Sequence, residues 1–208
     1  MARISKRAPR PRSYAGPMTS AKTRPAHGAH TTNGRPNGAA SLTPFLVIPN
    51  AREAIAFYAD VFGARVIDVT EMGGRVVHAE LGFPVGRLQL GEPLPEYHLV
   101  APPEGDDDCV SMGLYVPDVD TVVARALAAG ARLREPVSDF VSGDRFASIR
   151  DPFGVRWSVM TRIEDLSEEE SAARVRAWSV AAEAAGAPDA NPAGAAGAGA
   201  VGAEAAGS

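Results

Sequence analysis

In VVHAELGF, residues 76–83, a histidine and a glutamate stand two apart. Residues two apart on a strand share a face. His78 and Glu80 can therefore work as an acid–base pair, moving a proton next to a carbonyl. The same side chains are half of what a relocated divalent metal would need. A hydrogen-bonded structural role is equally open to His78. The following stretch, RLQLGE (87–92), sets Arg87 and Gln89 against Leu88 and Leu90. Further segments alternate in the same way. Phe45 and Val47 oppose Leu46 and Ile48; Phe146, Ser148 and Arg150 oppose Ala147 and Ile149; Arg156, Ser158 and Met160 oppose Trp157 and Val159. On 75–82, Val77, Ala79 and Leu81 lie opposite His78 and Glu80, and Ser111, Gly113 and Tyr115 share one face.

A polar, partly aromatic face with several arginines suits a small polar or anionic organic molecule. The candidate contacts are Phe45, Arg87, Gln89, Ser111, Tyr115, Phe146 and Ser158, with His78 and Glu80 as the candidate proton-transfer groups. A half-solvated sheet with no ligand alternates in the same way. Glu92 and His98 sit in the loop beyond and can cap such a pocket. Cys109 has no histidine placed beside it by any pattern, so a nucleophilic thiol is not expected.

These residues need strands and helices to hold them. PFLVIPNAREAIAFYADVFGARV begins at Pro44 and MGLYVPDVDTVVARALAAGARL at Met112. Each reads as an apolar strand, an Asn or Asp cap, an amphipathic helix, Gly and a further strand. The period of about 68 residues is too long for a solenoid unit and fits half a domain. Asn50 and Asp118 are the expected caps, with Glu53 reaching back to Asn50. Gly63 and Gly130 are the expected stops. Ile55, Tyr58 and Phe62 form the apolar face of the first helix; Val122, Val123, Ala126 and Leu127 form that of the second. Strands follow at about 64–71, 75–82 and 86–91, then 131–136, 145–150 and 155–160. Gly73-Gly74 and Asp151–Gly154 supply the turns. A third helix starts at Ser167, with Glu170 completing a capping box and Ala172, Val175, Trp178 and Ala182 as its stripe, a core or dimer contact. Each half is βαβββ, and the class is α+β.

Of 208 residues, 45% are apolar, enough for one ordinary core. A single cysteine forbids an intrachain disulfide and fits a reducing, cytoplasmic setting. No apolar run is long enough to span a membrane, and the basic N-terminus lacks the apolar segment of a secretory signal. The net charge of −4 is unevenly spread. Residues 1–41 hold eight Lys or Arg and no acid, which leaves 13 basic and 25 acidic groups in the rest. Such a head is expected to be a disordered, solvated tail or an over-extended start, with Met18 a later one; a nucleic-acid role is not expected. Residues 186–208, nearly all Ala and Gly, read as a second flexible tail. The expected domain is 42–165, with modules 42–93 and 109–163, followed by a helix over 166–185.

FYADVFGA (57–64), VVHAELGF (76–83), YVPDVD (115–120), GDR (143–145) and DPFG followed by Arg156-Trp157 together resemble the vicinal oxygen chelate superfamily. That superfamily includes glyoxalase I, extradiol dioxygenases and the fosfomycin and bleomycin resistance proteins. The likeness is greatest to a small glyoxalase-like branch named after a phosphonate-operon protein. The resemblance implies two βαβββ modules in a U-shaped mixed sheet, with helices on the convex face, a pocket in the concave one and a homodimer. Members that use a metal hold one divalent ion with a His on the first strand and a Glu on the last strand of each module. Carried over by motif spacing, those positions fall on Thr43, Gln89, Ser111 and Ser158. None is a strong ligand, so no cofactor is expected, with a metal only at a relocated site. The implied function is binding of a small molecule. The alternatives are a glyoxalase-type lyase or isomerase using His78 and Glu80, and a non-catalytic regulatory or structural role.

Overall fold

The computed structural model describes residues 24–186. They divide into two compact units at Ser41 and Leu42. In the first unit, β1 (Thr31–Thr32) and β2 (Arg35–Pro36) pair as an antiparallel hairpin. Asn33 and Gly34 turn it with φ of 48° and 78°, the left-handed pair that a two-residue hairpin loop demands. The rest of the basic head, residues 1–23, and the Ala/Gly segment from 187 onward lie outside the described residues.

The second unit contains the two modules. The first runs β3 (Phe45–Val47), α1 (Ala51–Phe62), β4 (Arg65–Met72), β5 (Arg75–Gly82) and β6 (Arg87–Gly91). The second runs β7 (Ser111–Tyr115), α2 (Val119–Ala128), β8 (Arg132–Phe140), β9 (Asp144–Arg150) and β10 (Arg156–Arg162), followed by α3 (Glu168–Ala184). Each module makes a four-stranded mixed sheet with the same wiring, β3-β6-β5-β4 and β7-β10-β9-β8. In each, the first and last strands are parallel and the remaining pairs antiparallel.

One continuous core joins both modules. From the strands it takes Leu46, Ile48, Ala79, Leu81, Leu88, Leu90, Ala147, Ile149, Trp157 and Val159; from the helices, chiefly Phe57, Tyr58, Val61, Phe62, Val119, Val123 and Ala126. These strand residues are the apolar side of the alternation. Val76, not Val77, is the core residue at the start of β5. The β4–β5 register shifts between Thr70 and Glu71, and such an irregularity flips the face of every residue beyond it. β8 continues to Phe140, past Pro136, because it is an edge strand with register shifts on both sides of Glu135. A proline lacking its N–H is tolerated there.

Asp118 caps α2 by accepting from the Thr121 N–H at 3.1 Å, which with the Thr121 hydroxyl holds its carboxyl below the usual range. Ser167 and Glu170 close the capping box of α3. Asn50 makes no side-chain cap bond; the left-handed Gly63 secures the other end, donating to the Ala59 carbonyl at 3.1 Å. Leu127 is exposed, and Val119 takes the buried place on the α2 face.

A buried polar link also joins the modules. Asp151, in the β9–β10 turn, accepts from its own Phe153 and Val155 N–H groups, both at 2.9 Å. Its other oxygen accepts from the Tyr58 hydroxyl at 2.7 Å and the Trp157 indole at 2.9 Å. Tyr58 stands on α1 of the first module and packs against Trp157 with ring centroids 5.2 Å apart. Burial pushes the Asp151 carboxyl up from its ordinary value, against the pull of these donors. Burial, and then the adjacent carboxylate, push the Tyr58 phenol well up, so it stays a donor.

Candidate functional site

On the first sheet, Phe45, Gln89, Glu80 and Asp68 are successive cross-strand partners, one row across four strands. Arg87, two residues before Gln89 on β6, meets Glu80 with its Nη1 2.5 Å from Oε1. Both groups are largely shielded, at 23% and 18% side-chain exposure. His78 pairs with Thr70 on β4. Its Nδ1 lies 4.0 Å from Asp68 Oδ2, and its ring centre is 6.2 Å from that of Phe45. Thr70 Oγ1 donates to the same Asp68 oxygen at 3.2 Å. Asp68 is thus the carboxylate near His78, beyond direct hydrogen-bond distance, while Glu80 is taken by Arg87. Asp68 is absent from the sequence reading because the β-bulge between Val66 and Asp68 leaves no period-2 signal.

The second sheet repeats the arrangement. Gly113, Ser158, Ser148 and Glu135 form its row. Arg156, two residues before Ser158 on β10, donates from Nε to Ser148 Oγ at 2.9 Å and from Nη2 to Glu135 Oε1 at 2.7 Å. Both modules therefore place an arginine two residues ahead of the last-strand position that resemblance singles out. Both pair it with a carboxylate of the same sheet, Glu80 from the adjacent strand β5 and Glu135 from β8, one strand beyond β9. Glu135, like Asp68, escapes sequence reading because it lies between two register shifts.

Farther along this face, Tyr115, Met160, Phe146 and Ser138 make the next row. Phe146 and Met160 are buried. Phe140 stands edge-on to Phe146, at 6.0 Å, and to Trp178 of α3, at 5.0 Å. Trp178 is thus used within the chain. The Tyr115 hydroxyl donates to Asp144 Oδ2 at 3.3 Å, and Ser142 and Arg162 hold the same carboxylate at 2.7 and 3.0 Å. Burial, and then the Asp144 charge, raise the Tyr115 phenol, making it a donor and not an anion.

The expected site residues fall into two sets. Phe45, His78, Glu80, Arg87 and Gln89 share the first sheet; Ser111, Tyr115, Phe146 and Ser158 share the second, where Ser111 is exposed and Ser158 only 7% exposed. Thr43 lies just before β3. Glu92 is half-buried at the end of β6; His98, with φ of 61°, and Cys109 are exposed. Among the described residues, no group of three or more His, Cys, Asp or Glu is arranged to hold a metal. A cavity of about 660 Å³ lies where the linker between modules meets the second sheet, lined among others by Pro102, Asp106, Arg132, Arg150 and Phe153. Sequence reading placed no cavity there.

A protein of Mycobacterium bovis and one of Mycobacterium tuberculosis H37Rv, both described as uncharacterized, are each 31% identical to the chain over 139 residues. The match covers 62% of this chain and 88% and 79% of theirs. Among solved structures, TioX from Micromonospora sp. ML1 is similar at 26% identity and a TM-score of 0.49, covering 60% of this chain and 99% of that one. A lactoylglutathione lyase from Agrobacterium tumefaciens is similar at 23% and 0.44, covering 60% and 95%. No helix among the described residues is long and apolar enough to cross a membrane. The sequence model of the glyoxalase/bleomycin resistance protein/dioxygenase superfamily matches residues 22–159, about two thirds of the chain. With its repeated βαβββ modules, the chain belongs to that superfamily.

Proposed function

We propose that the protein binds a small polar or anionic organic molecule on the open faces of its sheets, without the divalent metal used elsewhere in its superfamily. The observation that carries this reading is the pair of matching arginine–carboxylate contacts, Arg87–Glu80 and Arg156–Glu135. The donors at the inherited positions, Thr43, Gln89, Ser111 and Ser158, bring no charge, and hydroxyls and amides hold such metals poorly. A guanidinium two residues away on the same strand face further repels a dication. The same arginines favour carboxylate or phosphate oxygens. The protein acts as a homodimer, for which Val66, Val69 and Met72 on the edge strand β4 offer exposed apolar surface. Its single exposed Cys109 suits the reducing cytoplasm.

Elemental analysis of protein purified without an affinity tag is expected to find no stoichiometric Zn, Ni, Mn or Fe. A ligand found by thermal-shift screening is expected to bind Arg87→Ala about ten- to a hundredfold more weakly, the range for a lost charge-assisted hydrogen bond. His78→Ala is expected to weaken it similarly while leaving Tm nearly unchanged. Stoichiometric metal lost on His78→Ala would overturn the metal-free reading. Unchanged binding by both variants would overturn the face assignment.

The His78–Asp68 contact favours a second reading, a lyase or isomerase in which His78 takes a proton next to a carbonyl and Asp68 orients its ring. Turnover of hemithioacetals by the parent, with kcat reduced in both His78→Ala and Asp68→Asn, is the outcome it requires.

A further inference from the structure

The ladder pairs Arg132 with Arg150 and Arg150 with Arg156. Three guanidinium stems thus stand side by side on β8, β9 and β10. Like charges directly opposite on adjacent strands repel, so this row requires counter-anions. Glu135 serves Arg156, and the linker between modules faces Arg150 with Asp106 and Asp108. Glu104-Gly105-Asp106-Asp107-Asp108 reaches over the row and is gripped by Arg150 and by Arg134, whose guanidiniums donate to the Gly105 and Asp106 carbonyls. The larger cavity, with Arg132 and Arg150, adjoins this segment, and so does a smaller one of about 380 Å³, with Arg134, Glu135 and Arg156; Asp106 lines both.

The carboxylates fit this place poorly. Asp106 stands 3.6 Å from Arg134 and 3.7 Å from Arg150; Asp108 stands 3.8 and 3.3 Å from the same groups. Close charge-assisted bonds are nearer 2.7–2.9 Å, and this chain makes one where Arg156 meets Glu135 at 2.7 Å. Arg150 is only 10% exposed. Its Nε, the Nε of Arg134 and Asp108 Oδ1 are buried without a hydrogen-bond partner, three of the four such side-chain atoms among the described residues. The linker sets carboxylates against Arg134 and Arg150 but leaves both Nε groups unbonded.

We propose that Arg132, Arg150 and Arg156, with Arg134, form a binding site for a small multivalent oxyanion, and that Asp106 and Asp108 are its built-in competitor. The ligand carries two or more carboxylate or phosphate oxygens, displaces the acidic segment and satisfies the guanidinium N–H groups that the segment leaves unbonded. The proposal rests on the reading of the open sheet face as a ligand site and adds the ligand's class and its competition with the chain's own carboxylates.

The test titrates citrate and, separately, inorganic phosphate into the full chain by calorimetry at low ionic strength. Asp106→Asn/Asp108→Asn is expected to bind one of them about tenfold more tightly than the parent, the gain that follows if the acidic segment fills the site about nine-tenths of the time. The probe that responds identifies the oxyanion as carboxylate or phosphate. Arg150→Gln in that background is expected to abolish the gain. Arg132→Gln, at an exposed position, is expected to reduce it with Tm preserved, and so answers for any loss of fold in Arg150→Gln. No gain in the double variant, or a gain that survives both arginine substitutions, overturns the inference. If neither probe binds any variant, the inference falls, whereas a screened ligand whose affinity depends on Arg87 would leave the first-sheet reading standing.

Discussion

Tyr58→Phe removes one oxygen from a fully buried side chain and leaves its ring stacking intact. The lost bond runs from the phenol to an Asp151 oxygen at 2.7 Å. A hydrogen bond to a charged group contributes about 1.5–3 kcal/mol. Here the same oxygen keeps the Trp157 indole donor and the other keeps two backbone N–H groups, so the carboxylate is not orphaned and the expected loss is about 2 kcal/mol. For a domain of this size that lowers Tm by about 4–8 °C. The loss must depend on pH with a definite sign. Burial raises the folded-state pKa of Asp151 above its unfolded value, so its protonated form favours the fold, and that contribution fades as pH rises through the folded pKa. The Tyr58 bond offsets this by stabilising the charged form. Its removal therefore costs most at neutral pH and progressively less in acid, where the carboxyl is protonated. Urea denaturation of parent and variant at about pH 7 and about pH 4.5 reads both effects. Equal losses at the two pH values, or none at either, would refute the assignment of Asp151 as a charged link between modules.

Gly91→Ala is expected to destabilise by about 1–3 kcal/mol, because an added Cβ would sit 2.6 Å from the Val77 carbonyl oxygen and 3.1 Å from Phe45; chemical denaturation checks it, and a neutral result would mean that β5 and β6 can separate. Trp178→Ala is expected to cost about 1–2 kcal/mol, less than a fully buried aromatic, and to raise the exposure of Phe140 to solvent; an unchanged melt would show that α3 is held elsewhere.

The elements and their faces were legible in the sequence because both are written locally. Asp118, Ser167 and Glu170 announce helix starts, and the alternation in RLQLGE and RWSVM separates the core side of a strand from its open side. Partners across a strand pair were not legible. Asp68 reaches His78, and Glu135 reaches Arg156, through β-bulges that break the period of two. The role of the acidic linker was not legible either, since nothing near Asp106 or Asp108 in the chain points to Arg134 or Arg150. The Asn33-Gly34 hairpin was hidden by the composition of the stretch around it. Asn50 has the right residue type for a cap, but type alone does not fix a side chain.

The acceptor set of Asp151 bears on how the chain is made. Two of its donors lie within four residues of it, while Tyr58 lies 93 positions earlier. During synthesis the aromatic side of α1, with Phe57, Tyr58 and Phe62, leaves the ribosome long before Trp157 and the closing turn exist to cover it. Domains with such late partners expose sticky surface while they wait. The aromatic side of the first module is therefore completed only by Phe153 and Trp157 of the second. A chain interrupted before residue 151 would lack the Phe153 and Trp157 rings that pack on Phe57, Tyr58 and Phe62.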